Sequence, residues 1–267
     1  MNAPQRLPTF FLSHGGGPWP WMDGPMRQGY RLLEASLTGL PASLPARPKA
    51  VLMISAHWEE AAFTLQSSAA PGMVYDYGGF PPHTYRIVYP APGAPELAAR
   101  VAGLIKAGGL PAALDGQRGY DHGAFCTAYP MYPQADVPMV QLSLRRGLDP
   151  AEHLALGRLL APLRDEGVLI IGSGFSFHNL RLLNEAGRAP SAAFDAWLQQ
   201  ALPDPAGRAE RLMAWAQAPA ARIAHPREEH LLPLMVAAGA AEGEAGHCNY
   251  LETEFFGAIT TSSFRFG

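Results

Sequence analysis

The stretch from residue 149 to 178 reads DPAEHLALGRLLAPLRDEGVLIIGSGFSFH. Asp149-Pro150 supplies a helix N-cap followed by a residue suited to the first turn, because proline lacks an N–H to leave unpaired and its φ is already helical. Leu154, Leu156, Leu159, Leu160 and Leu163 then fall broadly on one side of a helix predicted over Asp149–Glu166, and Gly167 ends it. Val168-Leu169-Ile170-Ile171 follows at once, continuously apolar, in the pattern of a strand buried on both faces. A helix feeding a doubly buried strand is characteristic of an α/β domain.

The same alternation extends in both directions. Apolar runs predict strands at Thr9–Leu12, Ala50–Ile54 and Val137–Leu142, and a late strand at Gly257–Phe266. Helical spacing predicts helices over Pro95–Ala107, Ala124–Tyr132, Ala192–Leu202, Gly207–Gln217 and Arg227–Ala238. The expected architecture is α/β, with a mixed, largely parallel central sheet flanked by helices. No internal repeat or low-complexity linker divides the chain, so a single catalytic domain is expected over residues 1–267.

Composition removes several function classes. The 267 residues are 48% hydrophobic and 16% charged, enough apolar material for one core and unlike a disordered chain. A net charge of -3, with only the pair Arg145-Arg146 as a basic cluster, argues against nucleic acid, whose binders carry basic patches. No apolar run is long enough to span a bilayer, and Met1–Pro8 lacks the basic-then-apolar pattern of a leader. Cys126 and Cys248, two cysteines far apart, fit reduced thiols in a cytoplasmic protein better than a disulfide framework or a thiolate metal site.

The histidines carry the functional signal through their position. His14 follows the first predicted strand in Ser13-His14-Gly15-Gly16-Gly17, His57 ends the second in Ser55-Ala56-His57-Trp58, and His178 follows Val168–Ile171. All three are expected at strand C-termini, where open α/β sheets bind ligands. One such histidine is more often a hydrogen-bonded loop residue than a ligand; three at equivalent strand ends, in Gly- or Ser-rich turns, favour a shared metal site, imidazole being a common ligand of iron, zinc and copper. Pro226 is expected to start a helix that carries His230 one turn in, with Glu228 and Glu229 in its first turn. His225 lies five residues earlier, so the two cannot readily face one ion from one helix. His122, in Asp121-His122-Gly123, opens the helix at Ala124; a surface capping role and a hydrogen bond to substrate or oxygen both fit the local pattern. His83, His153 and His247 read as surface or structural.

Seven segments in order resemble the class III extradiol ring-cleavage dioxygenases, in the DOPA-dioxygenase branch of the protocatechuate 4,5-dioxygenase β-subunit superfamily. They are Ser13–Gly15, Ser55–Trp58, Tyr75–Phe80, Tyr89–Gly93, Asp121–Gly123, His178–Arg181 and Glu229–Leu234. The resemblance implies a divalent metal ion held by His14, His57 and His230. It implies His178 as acid/base beside the metal (and in some members a further ligand), and His122 as a second active-site histidine. It further implies a small aromatic diol and O2 as substrates, an extradiol opening to a muconic semialdehyde-type product, and a monomer or small homo-oligomer.

The better-studied branches use two histidines and a carboxylate, whereas His230 stands third here, with Glu229 beside it. Fe(II) is expected for turnover; an all-histidine set also suits Zn(II), which cannot cycle electrons to oxygen. A zinc-dependent hydrolase or amidase, and a non-catalytic metal-binding relative, therefore stay open. Trp58, Tyr120 and Phe177 are candidate ring-packing groups, although residues of this kind more often pack in the core.

Overall fold

A computed structural model describes residues 6–267; Met1–Gln5, the start of the segment inspected for a leader, lie outside the described residues. Among the described residues, eight strands form one sheet: β1 (Thr9–Ser13), β2 (Ala50–Glu60), β3 (Phe63–Gln66), β4 (Ala112–Asp115), β5 (Met139–Arg145), β6 (Val168–Gly174), β7 (Gly246–Phe255) and β8 (Ile259–Phe266). Their order is β4-β3-β5-β2-β6-β1-β8-β7. The central block β5-β2-β6-β1 is parallel throughout. Antiparallel joins occur where β3 meets β5, β8 meets β1 and β7 meets β8. The α/β expectation of a mixed, largely parallel sheet with helices is met.

Strand β6 shows why both faces are covered. Successive side chains along a strand point to opposite faces. Ser173 Oγ donates to the Gly123 carbonyl at 2.6 Å on one side. On the other, a Cβ at Gly172 or Gly174 would collide with the carbonyl oxygens of Pro233 and His230. Helix His122–Met131 therefore lies on one face and helix Leu232–Gly239 on the other, seated against backbone that only glycine leaves bare. Thr9 Oγ1, from β1, also donates to Ala237 O at 2.7 Å.

The helix that opens the decisive stretch runs Pro150–Leu160, and Asp149 caps it by accepting from Ala151 N. It passes into a 3-10 turn at Ala161–Arg164 instead of continuing to Glu166, because Pro162 offers no N–H to the helical ladder. The 207–217 segment likewise divides into helix Arg208–Met213 and a 3-10 turn. The expected helix Arg227–Ala238 is corrected more substantially: it begins at Leu232, and residues 226–231 form bends and turns. Pro233 explains this, since in a helix begun at Arg227 it would sit in the interior and clash with the carbonyl four residues back. His230 therefore occupies a turn before the helix.

Strands β3, β4 and β7 were not expected. β7 exposes most of its residues, and its sequence GHCNYLETEF lacks a continuous apolar run. Among the described residues, no helix is long and apolar enough to cross a membrane. Cys126 is buried, Cys248 is exposed, and both are free thiols.

Candidate metal centre

His14, His57 and His230 meet at the C-terminal ends of the central strands. His14 directly follows β1, its N–H donating to Gly174 O at 3.1 Å and its carbonyl accepting from Trp19 Nε1 at 2.7 Å. His57 lies within β2 rather than past its end. The β2 register against β5 shifts between Ile54 and Glu59, and pairing with β6 stops at Ser55, so Ala56–Trp58 leave the regular ladder. His230 is held by backbone: Phe175 N donates to its carbonyl at 3.0 Å, just past β6.

The three rings converge through one kind of atom. His14 Nε2 and His230 Nε2 each lie 3.1 Å from His57 Nε2. The partners on the other side of each ring assign the tautomers. Ser173 Oγ is 3.1 Å from His14 Nδ1 and commits its own proton to Gly123 O, so His14 Nδ1 donates. His57 Nδ1 lies 3.2 Å from Asp76 Oδ2, and His230 Nδ1 lies 2.9 Å from Glu229 Oε1. Each ring thus keeps its proton on Nδ1 and turns an Nε2 lone pair inward. Three lone pairs facing one another at these distances repel unless a cation lies among them, and oxygen partners behind ligating imidazoles orient rings in metal sites. The donor set fits one divalent ion.

Electrostatics agree. Burial, then the neighbouring histidines, holds His14 and His230 well below the ordinary imidazole range. Burial and the proximity of His122 bring His57 down to about 3, against the opposing pull of Asp76. The rings are neutral at pH 7, the form a metal requires. Asp76 and Glu229 stay below the usual carboxylate range. Burial pushes each upward, but contact with His122 and His57 outweighs it for Asp76, as contact with His178 and Arg227 does for Glu229.

The two remaining histidines flank the trio. His178 stacks on His230, centroids 3.3 Å apart and planes 13° from parallel, and turns Nδ1 to Glu229 Oε1 at 3.3 Å. It does not join the three-nitrogen group; with Glu229 and His230 it forms a neighbouring cluster. His122 is buried beside His57, its Nδ1 2.9 Å from Asp76 Oδ1, so it is no surface cap. Asp121 caps that helix and also accepts from Ser55 Oγ at 2.7 Å, tying the helix start to the end of β2. His225 is buried elsewhere, its Nε2 3.0 Å from Ser176 O. His153 is buried and structural, whereas His83 and His247 are exposed.

The five histidines form the floor of a cavity of about 390 Å³ walled by aromatic and aliphatic groups, including Tyr30, Tyr77, Phe80, Phe175, Phe177 and Phe255. Of the ring-packing candidates, Phe177 lines it. Trp58 is buried under the Arg118 guanidinium, and Tyr120 Oη donates to Met139 O, so both belong to the core. Asp76 and Glu229 acquire their parts only in three dimensions, although Asp76 stands inside the Tyr75–Phe80 motif.

Residues 8–264 match the family model described as the catalytic LigB subunit of aromatic ring-opening dioxygenase. The chain belongs to the LigB family. Among LigB relatives, a protein named 4,5-DOPA dioxygenase extradiol from Beta vulgaris is 40% identical over 264 residues, covering 97% of this chain and 96% of that one. Dioxygenase tasH from Hapsidospora irregularis is also 40% identical, over 259 residues, covering 89% of this chain and 79% of that protein. The crystal structure of an uncharacterized protein, JW3007, from Escherichia coli K12 superposes with a TM-score of 0.79 at 30% identity, covering 98% of this chain and 100% of that one.

Proposed function

We propose that this LigB-family protein is an extradiol dioxygenase that opens the ring of a catechol with O2, with His14, His57 and His230 holding Fe(II). The observation that carries the reading is the convergence of three Nε2 lone pairs, flanked by two further histidines, on the floor of an aromatic-walled cavity. Fe(II) in that position would bind both catechol oxygens and lend electron density to O2, whereas Zn(II) suits the same donors but supplies no redox chemistry.

The chain's own residues manage protons and position. Glu229 keeps the His178 proton on Nδ1, which leaves Nε2 to take a phenolic proton as the diol binds, and the carboxylate stabilises the imidazolium that results. The same imidazolium can later return the proton to oxygen as the ring opens. His122, fixed by Asp76, offers a donor to negative charge developing on oxygen. Tyr77 and Phe177 pack along the ring and keep water from the reacting face.

Oxygen uptake by freshly Fe(II)-loaded protein across substituted catechols tests the assignment, with one O2 consumed per ring opened. His178→Ala should retain the metal and lose about 10²–10⁴-fold in turnover, the range for a positioned acid/base. Near-normal turnover by that variant refutes the role of His178. Turnover of an ester or amide by Zn(II)-loaded protein without oxygen, and no turnover of catechols, refutes the dioxygenase reading in favour of a hydrolase.

A further inference from the structure

Resting on the dioxygenase reading, we propose that the substrate is a neutral catechol with an apolar ring substituent, and that this cavity selects against catechols bearing a carboxylate. Among the described residues, no lysine or arginine lines the cavity. Its one lining carboxylate, Asp76, already faces His57 and His122. Glu229 adds a second negative charge just behind His178 and His230. Of the wall hydroxyls, Tyr77 Oη donates to Thr84 O at 2.7 Å, whereas Tyr30 Oη accepts from Gly16 N at 2.9 Å and keeps one uncharged O–H donor. Tyr30 remains a neutral phenol, burial raising it to about 12.

Away from the histidines the wall continues through Phe80, Phe255, Leu180 and Leu183. Arg181 follows Leu180 in sequence but is exposed and is not part of the lining. With one phenolic proton passed to His178, a divalent ion held by three neutral imidazoles, the bound diol, the His178 imidazolium and the Asp76 and Glu229 carboxylates would together carry no net charge. A further carboxylate on the ring would enter an apolar space without a counter-charge and with two ionised acids nearby, a costly transfer. An alkyl, aryl or ester substituent is favoured by burial against the same wall.

The test compares matched pairs that differ chiefly in charge: 3,4-dihydroxybenzoate with its methyl ester, and 3,4-dihydroxyphenylacetate with its methyl ester. L-DOPA, the diol in the beet relative's name, is run with its own methyl ester. For Fe(II)-loaded protein, kcat/KM for each of the first two esters should exceed that of the acid by roughly 100-fold, the scale of an uncompensated charge in an apolar site. Calorimetry on the Zn(II)-loaded protein, which binds without turnover, should rank the same pairs in the same order. Leu180 is 69% exposed, so Leu180→Arg is accommodated and should lower KM for the acids about tenfold, narrowing their gap to the esters.

Ring opening with acids and esters equal, or acids preferred, overturns the proposed substrate class while the dioxygenase reading stands, and directs attention to the Gly15–Gly17 backbone as an anion seat. Ester-selective binding with no ring opening retains the ligand class and removes the dioxygenase reading. Failure of every catechol to bind overturns both.

Discussion

Asp76→Asn tests whether the three imidazoles act as ligands by altering what stands behind them. The Asp76 carboxylate lies 3.2 Å from His57 Nδ1 and 2.9 Å from His122 Nδ1, and it accepts the His122 backbone N–H at 3.0 Å. Asparagine keeps one oxygen for these contacts and presents an NH2 where a second ring N–H needs an acceptor. The outer partner of a metal-bound imidazole is worth about 10–100-fold in metal affinity, or about 1.4–2.7 kcal/mol. Metal that binds only the folded state stabilises it through that affinity, so at saturating metal the same amount of stabilisation disappears. At about 2–4 °C per kcal/mol for a chain of this size, the metal-induced rise in Tm should shrink by about 3–11 °C. Thermal unfolding of metal-free and Zn(II)-loaded protein, with a chelator competition for Kd, reads both quantities. A Kd within about twofold of wild type, in a variant whose metal-free Tm is unchanged, would refute the assignment of His57 as a ligand supported by Asp76.

Gly174→Ala places a Cβ against the His230 carbonyl and the Phe11 ring, so it should push the 230 turn off β6. The expected result is a loss of about 1–3 kcal/mol in urea unfolding together with weakened metal binding, and an unchanged metal Kd would show that His230 does not depend on this seat. Acid sensitivity should come partly from His153 and His225, which burial brings down to about 4 and about 3. The unfolded chain takes up a proton at each near the ordinary 6.5 and the folded chain does not, so stability is full above that pH and falls on acidification. Between pH 7.5 and pH 5 the His153 share is about 2 kcal/mol, and His153→Gln should remove that much of the drop measured by urea unfolding. An identical drop in wild type and variant would count against it.

The sequence showed its parallel centre most clearly, because β6 opens with Val168–Ile171, apolar on both sides, and the Asp149-Pro150 start carries its own cap. The peripheral strands were illegible for the opposite reason: β7 is largely solvated and β4 is only four residues long. Four of the five floor histidines announced themselves by position beside strand ends or at a helix start. His230 did so for a reason the structure revises, since Pro233 delays the helix and leaves the ligand candidate on a turn. Asp76 and Glu229 could not be assigned from spacing, because their roles arise from partners brought near by the fold: Asp76 reaches His57 and His122, and Glu229 reaches His178. Trp58 and Tyr120 follow the commoner course for such residues and pack in the core, because adjacency to a histidine in sequence does not say which way a side chain leaves the backbone.

The three converging nitrogens come from residues 14, 57 and 230, so most of the polypeptide separates the earliest donor from the latest. During synthesis the first two can approach each other long before the third leaves the ribosome, and a pair of imidazoles is a poor competitor for a scarce cation. If the three nitrogens hold the proposed metal, ion capture waits for residue 230, and a translation product ending short of it carries only two of the three proposed donors.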